Sequence, residues 1–163
     1  MESAEILVLQ ASYTNPVHAE AICLVLNHYA EDPMGVGHSL PANRLQQLPG
    51  ELAKRLHAFS VLAFVGGEPA GLVNCFEGFS TFACRPLVNV HDVAVVSKFR
   101  GLGLSQKMLH KVEDIARQRG CCKITLEVLE GNAVAQASYG KFGFSPGMFD
   151  PAHGRMLFWT KAL

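Results

Sequence analysis

Charge is scarce in this chain, and neither sign is in excess. Its 163 residues hold 14 Lys and Arg against 14 Asp and Glu, so the formal net charge is zero. That balance removes the basic footprint with which a protein holds nucleic acid or an anionic membrane surface. No apolar run is long enough to span a bilayer. The opening Met1-Glu2-Ser3-Ala4-Glu5 lacks both the positive region and the apolar core of a secretory signal. The expectation is a soluble cytoplasmic protein.

Cysteine pairs with useful spacing are missing too. The five cysteines, Cys23, Cys75, Cys84, Cys121 and Cys122, are odd in number and form no C-x-x-C. A zinc ribbon and a redox dithiol are thereby excluded, and no metal is expected. Adjacent Cys121 and Cys122 are poorly placed to bridge each other, so the cysteines read as reduced thiols serving as small apolar residues. No neighbouring pattern argues for a thiol nucleophile. Two nucleotide motifs are absent as well. A dinucleotide fingerprint needs a glycine where Gln106 stands, and a P-loop needs a Gly-Lys-Ser/Thr that the chain lacks.

About half of the residues are apolar, enough for a core in a chain of this length, which reads as one domain over residues 1–163. Glu5 to Ala11 is a strand. Asn15-Pro16 starts a helix, with Asn as cap and Pro in the first turn, and Asp32-Pro33 ends it. Met34 to Leu40 is a loop. Pro41 to Phe59 reads as a second helical region broken at Pro49-Gly50. Ser60 to Val65 and Ala70 to Phe79 are strands joined by a turn at Gly66-Gly67-Glu68-Pro69. A further strand covers Leu87 to Val96. From Arg100 to Arg119 a helical stripe of Leu104, Met108, Val112, Ile115 and Ala116 runs to Gly120. Lys123 to Val128 is a strand, Asn132 caps a helix closed by Gly143, and Met156 to Lys161 is the last strand. The succession describes an α/β fold: a mixed sheet with helices on both faces.

The strongest local signal is Phe99-Arg100-Gly101-Leu102-Gly103-Leu104-Ser105, between a buried strand and a long helix. A glycine turn there leaves backbone N–H groups unpaired at the positive end of a helix dipole, where phosphate oxygens can approach. The second signal is Asn132-x-x-Ala135-x-x-x-Tyr139-x-Lys141-x-Gly143-Phe144. A capped helix explains Asn132, Ala135 and Gly143 but not the Tyr-x-Lys-x-Gly-Phe end.

Together with R-x-x-G-x-S at Arg100 to Ser105, this pattern resembles the GNAT superfamily of acetyl-CoA-dependent N-acetyltransferases, in the family's order and separation. The resemblance runs from Ile6 to Lys161. It implies a mostly antiparallel sheet splayed between the strands Leu87–Val96 and Lys123–Val128, with acetyl-CoA in the gap. Arg100, Gly101, Leu102, Gly103, Leu104, Ser105 and Gln106 would form the pyrophosphate turn. Ser105 departs from the family's preferred Gly or Ala, though it is still small and its hydroxyl could meet a phosphate. Val93, Ala94 and Val95 would flank the pantetheine arm, with Asn132 and Ala135 beside it, and Tyr139 would be the general acid.

The base is open between four residues. His91 is favoured, because an imidazole suits a base at neutral pH. Strand alternation points it away from Asp92 and onto the face of Val93 and Val95. Asp92, Glu77 and Glu127 are the other candidates, as bases or as holders of a substrate ammonium. The implied reaction is direct attack by a primary amine, on a small molecule, in a ternary complex. Acetylation of a protein lysine or N-terminus, and a non-catalytic acyl-CoA sensor, are the alternatives. The family is often dimeric, which extends the expectation to a homodimer helped by the apolar last strand.

Overall fold

The computed structural model describes residues 4–147, 150–154 and 156–163; the start of the amino-terminal stretch read above lies outside them. The elements run β1 (Ile6–Gln10), α1 (Pro16–Glu31), α2 (Ala42–Ala53), β2 (Ala58–Val65), β3 (Glu68–Ser80), β4 (Arg85–Val95), α3 (Leu104–Gln118), β5 (Ile124–Leu126) and α4 (Ala133–Phe142). The five strands form one sheet in chain order, β1-β2-β3-β4-β5. All pairs are antiparallel except the parallel β4–β5.

Every residue of β2 is buried, because both faces of the sheet are covered. On one face α1 lays Ala21, Ile22 and Val25 over Leu62, Phe64, Leu72 and Ala94. On the other, α3 lays Leu104, Met108, Leu109, Val112, Ile115 and Ala116 over Val61, Ala63, Val73, Val88 and Val90. The stripe expected on α3 is therefore the one it buries. Close approach there depends on Gly71, where a Cβ would fall 2.7 Å from the Met108 Cε.

Local chemistry explains most element ends. The Asn15 side chain accepts from the N–H groups of Val17 and His18, with Pro16 in the first turn. Gly120 and Gly143 have φ of +71° and +111° just beyond α3 and α4, the left-handed closure that glycine tolerates.

Three expectations need correction. The helical region predicted to break at Pro49 does not: α2 runs through it. Proline removes the N–H that would bond the Leu45 carbonyl, and the Cys23 thiol donates to that carbonyl instead, at 3.1 Å. The region stops at Ala53, and Ala58 and Phe59 join β2 because they pair with Phe76 and Cys75. Finally, Met156 to Lys161 forms no strand. Its composition suits one, but a strand needs a partner edge, and this segment pairs with none among the described residues. No helix among the described residues is long and apolar enough to cross a membrane.

Met108 is fully buried against β3. Met108→Ala should lower unfolding free energy by about 2–5 kcal/mol, read from urea denaturation. A midpoint equal to wild type would show that α3 does not rest on this contact.

Candidate active site

Backbone pairing between β4 and β5 covers only Val88↔Ile124, Asn89↔Thr125 and Val90↔Leu126. Beyond Val90 the two strands part, as the splay expected from the family resemblance requires. The β4 edge from His91 to Val95, which includes Val93 and Ala94, thus pairs with no strand on the β5 side among the described residues.

At the end of this edge a short helical turn, Ser97–Phe99, leads into Arg100, Gly101, Leu102 and Gly103. Gly101 and Gly103 have φ of +85° and +71°. A Cβ at either would meet nothing within 4 Å, so the turn faces open space. No side chain caps α3, and no acidic residue stands in its first turn. Among the described residues the backbone N–H groups from Gly101 to Gln106 bond no acceptor. Their partial charges, rather than basic side chains, make this corner positive. Lys98 is paired with Glu68, and Arg100 donates to Asp32 at 2.8 Å. A hydrogen bond from the Met34 N–H, together with Arg100, holds the Asp32 carboxyl below the usual carboxylate range.

Two helices meet beside the turn. The Gln106 amide donates to the Ser138 carbonyl at 2.8 Å, and the Ser105 hydroxyl lies 3.2 Å from that of Ser138. Ser105, the departure from the family pattern, thus ties α3 to α4. On α4, Ala135, Ser138, Tyr139 and Phe142 form the half-buried side. The Asn132 oxygen caps α4 by accepting from the Ala135 N–H. Tyr139 packs its ring edge-on to Phe144. Every buried side-chain polar atom among the described residues is hydrogen-bonded, so the Tyr139 hydroxyl, which has no such bond, reaches solvent. Burial of the ring, with Tyr29 of α1 adding to it, pushes the Tyr139 pKa up to about 12.

The candidate bases separate. Asn74 pairs with Asp92 and Cys75 with Val90, which leaves His91 as an extra residue in β4. This is a β-bulge. Val90 and Val93 both face α3, and the two residues between them share the other side. His91 therefore does not point away from Asp92, as simple alternation predicted. Its Nδ1 lies 3.4 Å from the Asp92 Oδ1, and its ring stands edge-on to Phe76 on the α1 side. Tyr29 projects from α1 into the field of Asp92; burial first, then that carboxylate, raises its pKa.

Glu77 lies elsewhere, on the α3 side, bound to Arg119 at 3.0 Å with His57 nearby. Glu127 accepts from Asn89 across the last β4–β5 rungs. Sequence reading did not single out Tyr29, Asn74 or Ser138 as site residues. Asn74, a polar residue inside Leu72-Val73-Asn74-Cys75, carries a visible signal; Tyr29, on a largely apolar helix, carries none.

A family model for the acetyltransferase (GNAT) family matches residues 24–144. A thialysine N-epsilon-acetyltransferase of Caenorhabditis elegans is 30% identical over 126 residues, 76% of this chain and 75% of that one. A solved structure of an aminoglycoside N-acetyltransferase in complex with CoA superposes with a TM-score of 0.76 over 99% of this chain and 98% of its own, at 18% identity. A probable acetyltransferase of known structure covers 96% and 99% with a TM-score of 0.79, also at 18% identity. From the match across residues 24–144, the chain belongs to the acetyltransferase (GNAT) family and is an N-acetyltransferase.

Proposed function

We propose that residues 1–163 act as one domain that moves the acetyl group of acetyl-CoA to a primary amine of a small molecule, by direct attack in a ternary complex in the cytoplasm. The observation that carries this reading is the run of unbonded amides from Gly101 to Gln106, at an open glycine turn beside the unpaired edge of β4. Such a turn suits a diphosphate, and such an edge suits an arm that bonds like an added strand. The relative from Caenorhabditis elegans is named for a small amine, and one protein of the same fold was solved with CoA.

When bound, acetyl-CoA supplies the acetyl group and departs as the thiol. The amides of Gly101 to Gln106 hold its diphosphate, with Arg100 available once it leaves Asp32. Val93 to Val95 line the arm, and Asn132 offers its amide N–H groups. An acceptor amine with a pKa of about 10.4 is free in only about one molecule in 2,500 at pH 7, a cost of about 4.6 kcal/mol. His91, exposed on the bulge, would take one proton from the ammonium that Asp92 holds, which frees the nitrogen lone pair for attack. Tyr139 would give its proton to the sulfur as the carbon–sulfur bond breaks and regain one from the acylated nitrogen. At about 12 its hydroxyl is a weaker acid than a thiol near 8.5, so this step is uphill. The same shift keeps the hydroxyl protonated at every working pH.

Gly103→Val should weaken CoA binding at least about tenfold, ~1.4 kcal/mol, by calorimetry. A Cβ there meets nothing within 4 Å, and the left-handed backbone costs about 1–3 kcal/mol, so the fold should persist. Full affinity in the folded variant would remove the turn from the binding site.

Tyr139→Phe should lower turnover by roughly 10²- to 10⁴-fold with little change in acetyl-CoA affinity. In wild type, kcat/KM for a small primary amine should rise with pH as the base is uncovered. Tyr139, ionising only near 12, should add no alkaline fall of its own below that; the first fall should follow the amine itself, at about 10.4. His91→Gln should remove the limb due to the base and leave only the rise set by the amine's own pKa of about 10.4. Thiol release against a panel of small amines and lysine peptides tests the substrate class. Faster turnover of peptides would overturn the small-molecule reading, and no release with any amine would favour a sensor.

A further inference from the structure

Under α1, a line of polar side chains crosses three strands of an otherwise apolar layer. The Tyr13 hydroxyl, on the β1–α1 connection, lies 2.9 Å from the Ser60 hydroxyl of β2. The Ser60 hydroxyl lies 2.7 Å from the Asn74 carbonyl oxygen of β3. The Asn74 amide lies 3.0 Å from the Asp92 Oδ2 of β4. Ser60 is fully buried and Asn74 is 4% exposed, among Leu62, Phe64, Leu72 and Ala94.

The carboxylate sets the direction of every bond. Ionised Asp92 only accepts, so Asn74 must turn its NH2 toward it and its oxygen toward Ser60. Ser60 must then donate to Asn74 and accept from Tyr13. All donors point along one line, which ends on Oδ2; the other oxygen, Oδ1, faces Nδ1 of His91 at 3.4 Å. Only the bulge makes this possible, because it places His91 and Asp92 on one side of β4.

A satisfied pair inside the core is the plainer account of Ser60 and Asn74. An apolar pair would fill that layer without desolvating two polar groups. The polar pair has a use only at its far end. The other groups that sense Asp92 are Tyr29 of α1 and Cys75 of β3; Tyr29 also senses Asp32 and itself acts on Tyr139. Arg119 and Cys75 act on Tyr13 at the opposite end of the line. None of them hydrogen-bonds either oxygen of Asp92.

We propose that Asn74 is a positioning residue. Anchored by Ser60 and Tyr13, its amide holds the Asp92 carboxylate against Nδ1 of His91, which fixes the Nδ1–H tautomer and leaves Nε2 as the basic nitrogen. The step from tautomer to turnover rests on His91 being the base.

The test uses the purified full chain. Nitrogen-15 NMR reads the His91 tautomer, and kinetics with acetyl-CoA and a small primary amine read kcat, the acetyl-CoA KM and the pH profile. Wild type should show the Nδ1–H form. Asn74→Leu should mix in the Nε2–H form, lower kcat by roughly 10- to 100-fold and displace the rising pH limb, with the acetyl-CoA KM kept. Placed on His91→Gln, it should cost nothing more. Ser60→Ala and Tyr13→Phe should shift tautomer and rate the same way by less, and they decide the matter if Asn74→Leu does not fold. An unchanged tautomer and pH profile in folded Asn74→Leu, or in Ser60→Ala, overturns the proposal. A shifted tautomer with full turnover in His91→Gln upholds the positioning role and overturns His91 as base.

Discussion

The site depends on where β4 stops bonding to its neighbours. On one side, pairing with β5 ends at Val90. On the other, the register with β3 slips between Asn74 and Cys75. The two events fall at the same point in the strand. The first leaves backbone donors and acceptors of the Val93 to Val95 segment facing a gap. The second turns His91 onto the side of Asp92. A strand paired evenly on both edges would offer neither an open edge nor two successive side chains on one face.

The surrounding elements keep that discontinuity in place. The Gln106–Ser138 and Ser105–Ser138 contacts join α3 to α4 beside the glycine turn. On the opposite flank, the His28 imidazole accepts from the Ser97 N–H and Arg100 meets Asp32. The loop after α1 is tied back as well: Asn27 accepts from the Leu40 N–H, and the Ala30 carbonyl accepts from Val36 and Gly37. Both walls of the gap are therefore anchored through hydrogen bonds to helices that also cover the core.

Burial divides the ionisable groups by use. Glu77 and Arg119 neutralise each other, with the guanidinium stacked on Phe59. That pair closes the α3 side of the sheet at a distance from the bulge. Asp92 instead meets the Asn74 amide and the exposed His91 ring, with no Lys or Arg partner among the described residues. Tyr139 is desolvated enough to hold its proton firmly while its hydroxyl remains reachable.

Much of this was legible from residue order alone. The glycine turn, the Asn15 and Asn132 caps, the α3 stripe and the Tyr139 motif are local, since each depends on residues within a few positions of one another. The outcomes that differed were decided between distant segments. Pro49 stays inside α2 because Cys23, from another helix, satisfies the carbonyl that proline leaves open. Met156 to Lys161 has a strand's composition, but pairing is a property of two segments, and composition describes one. His91 was marked by its polarity, but its direction came from a one-residue slip against β3. The sequence determined which side chains were available and which short motifs they form. Tertiary structure decided which of them share a face, because strand register is set by the partner strand.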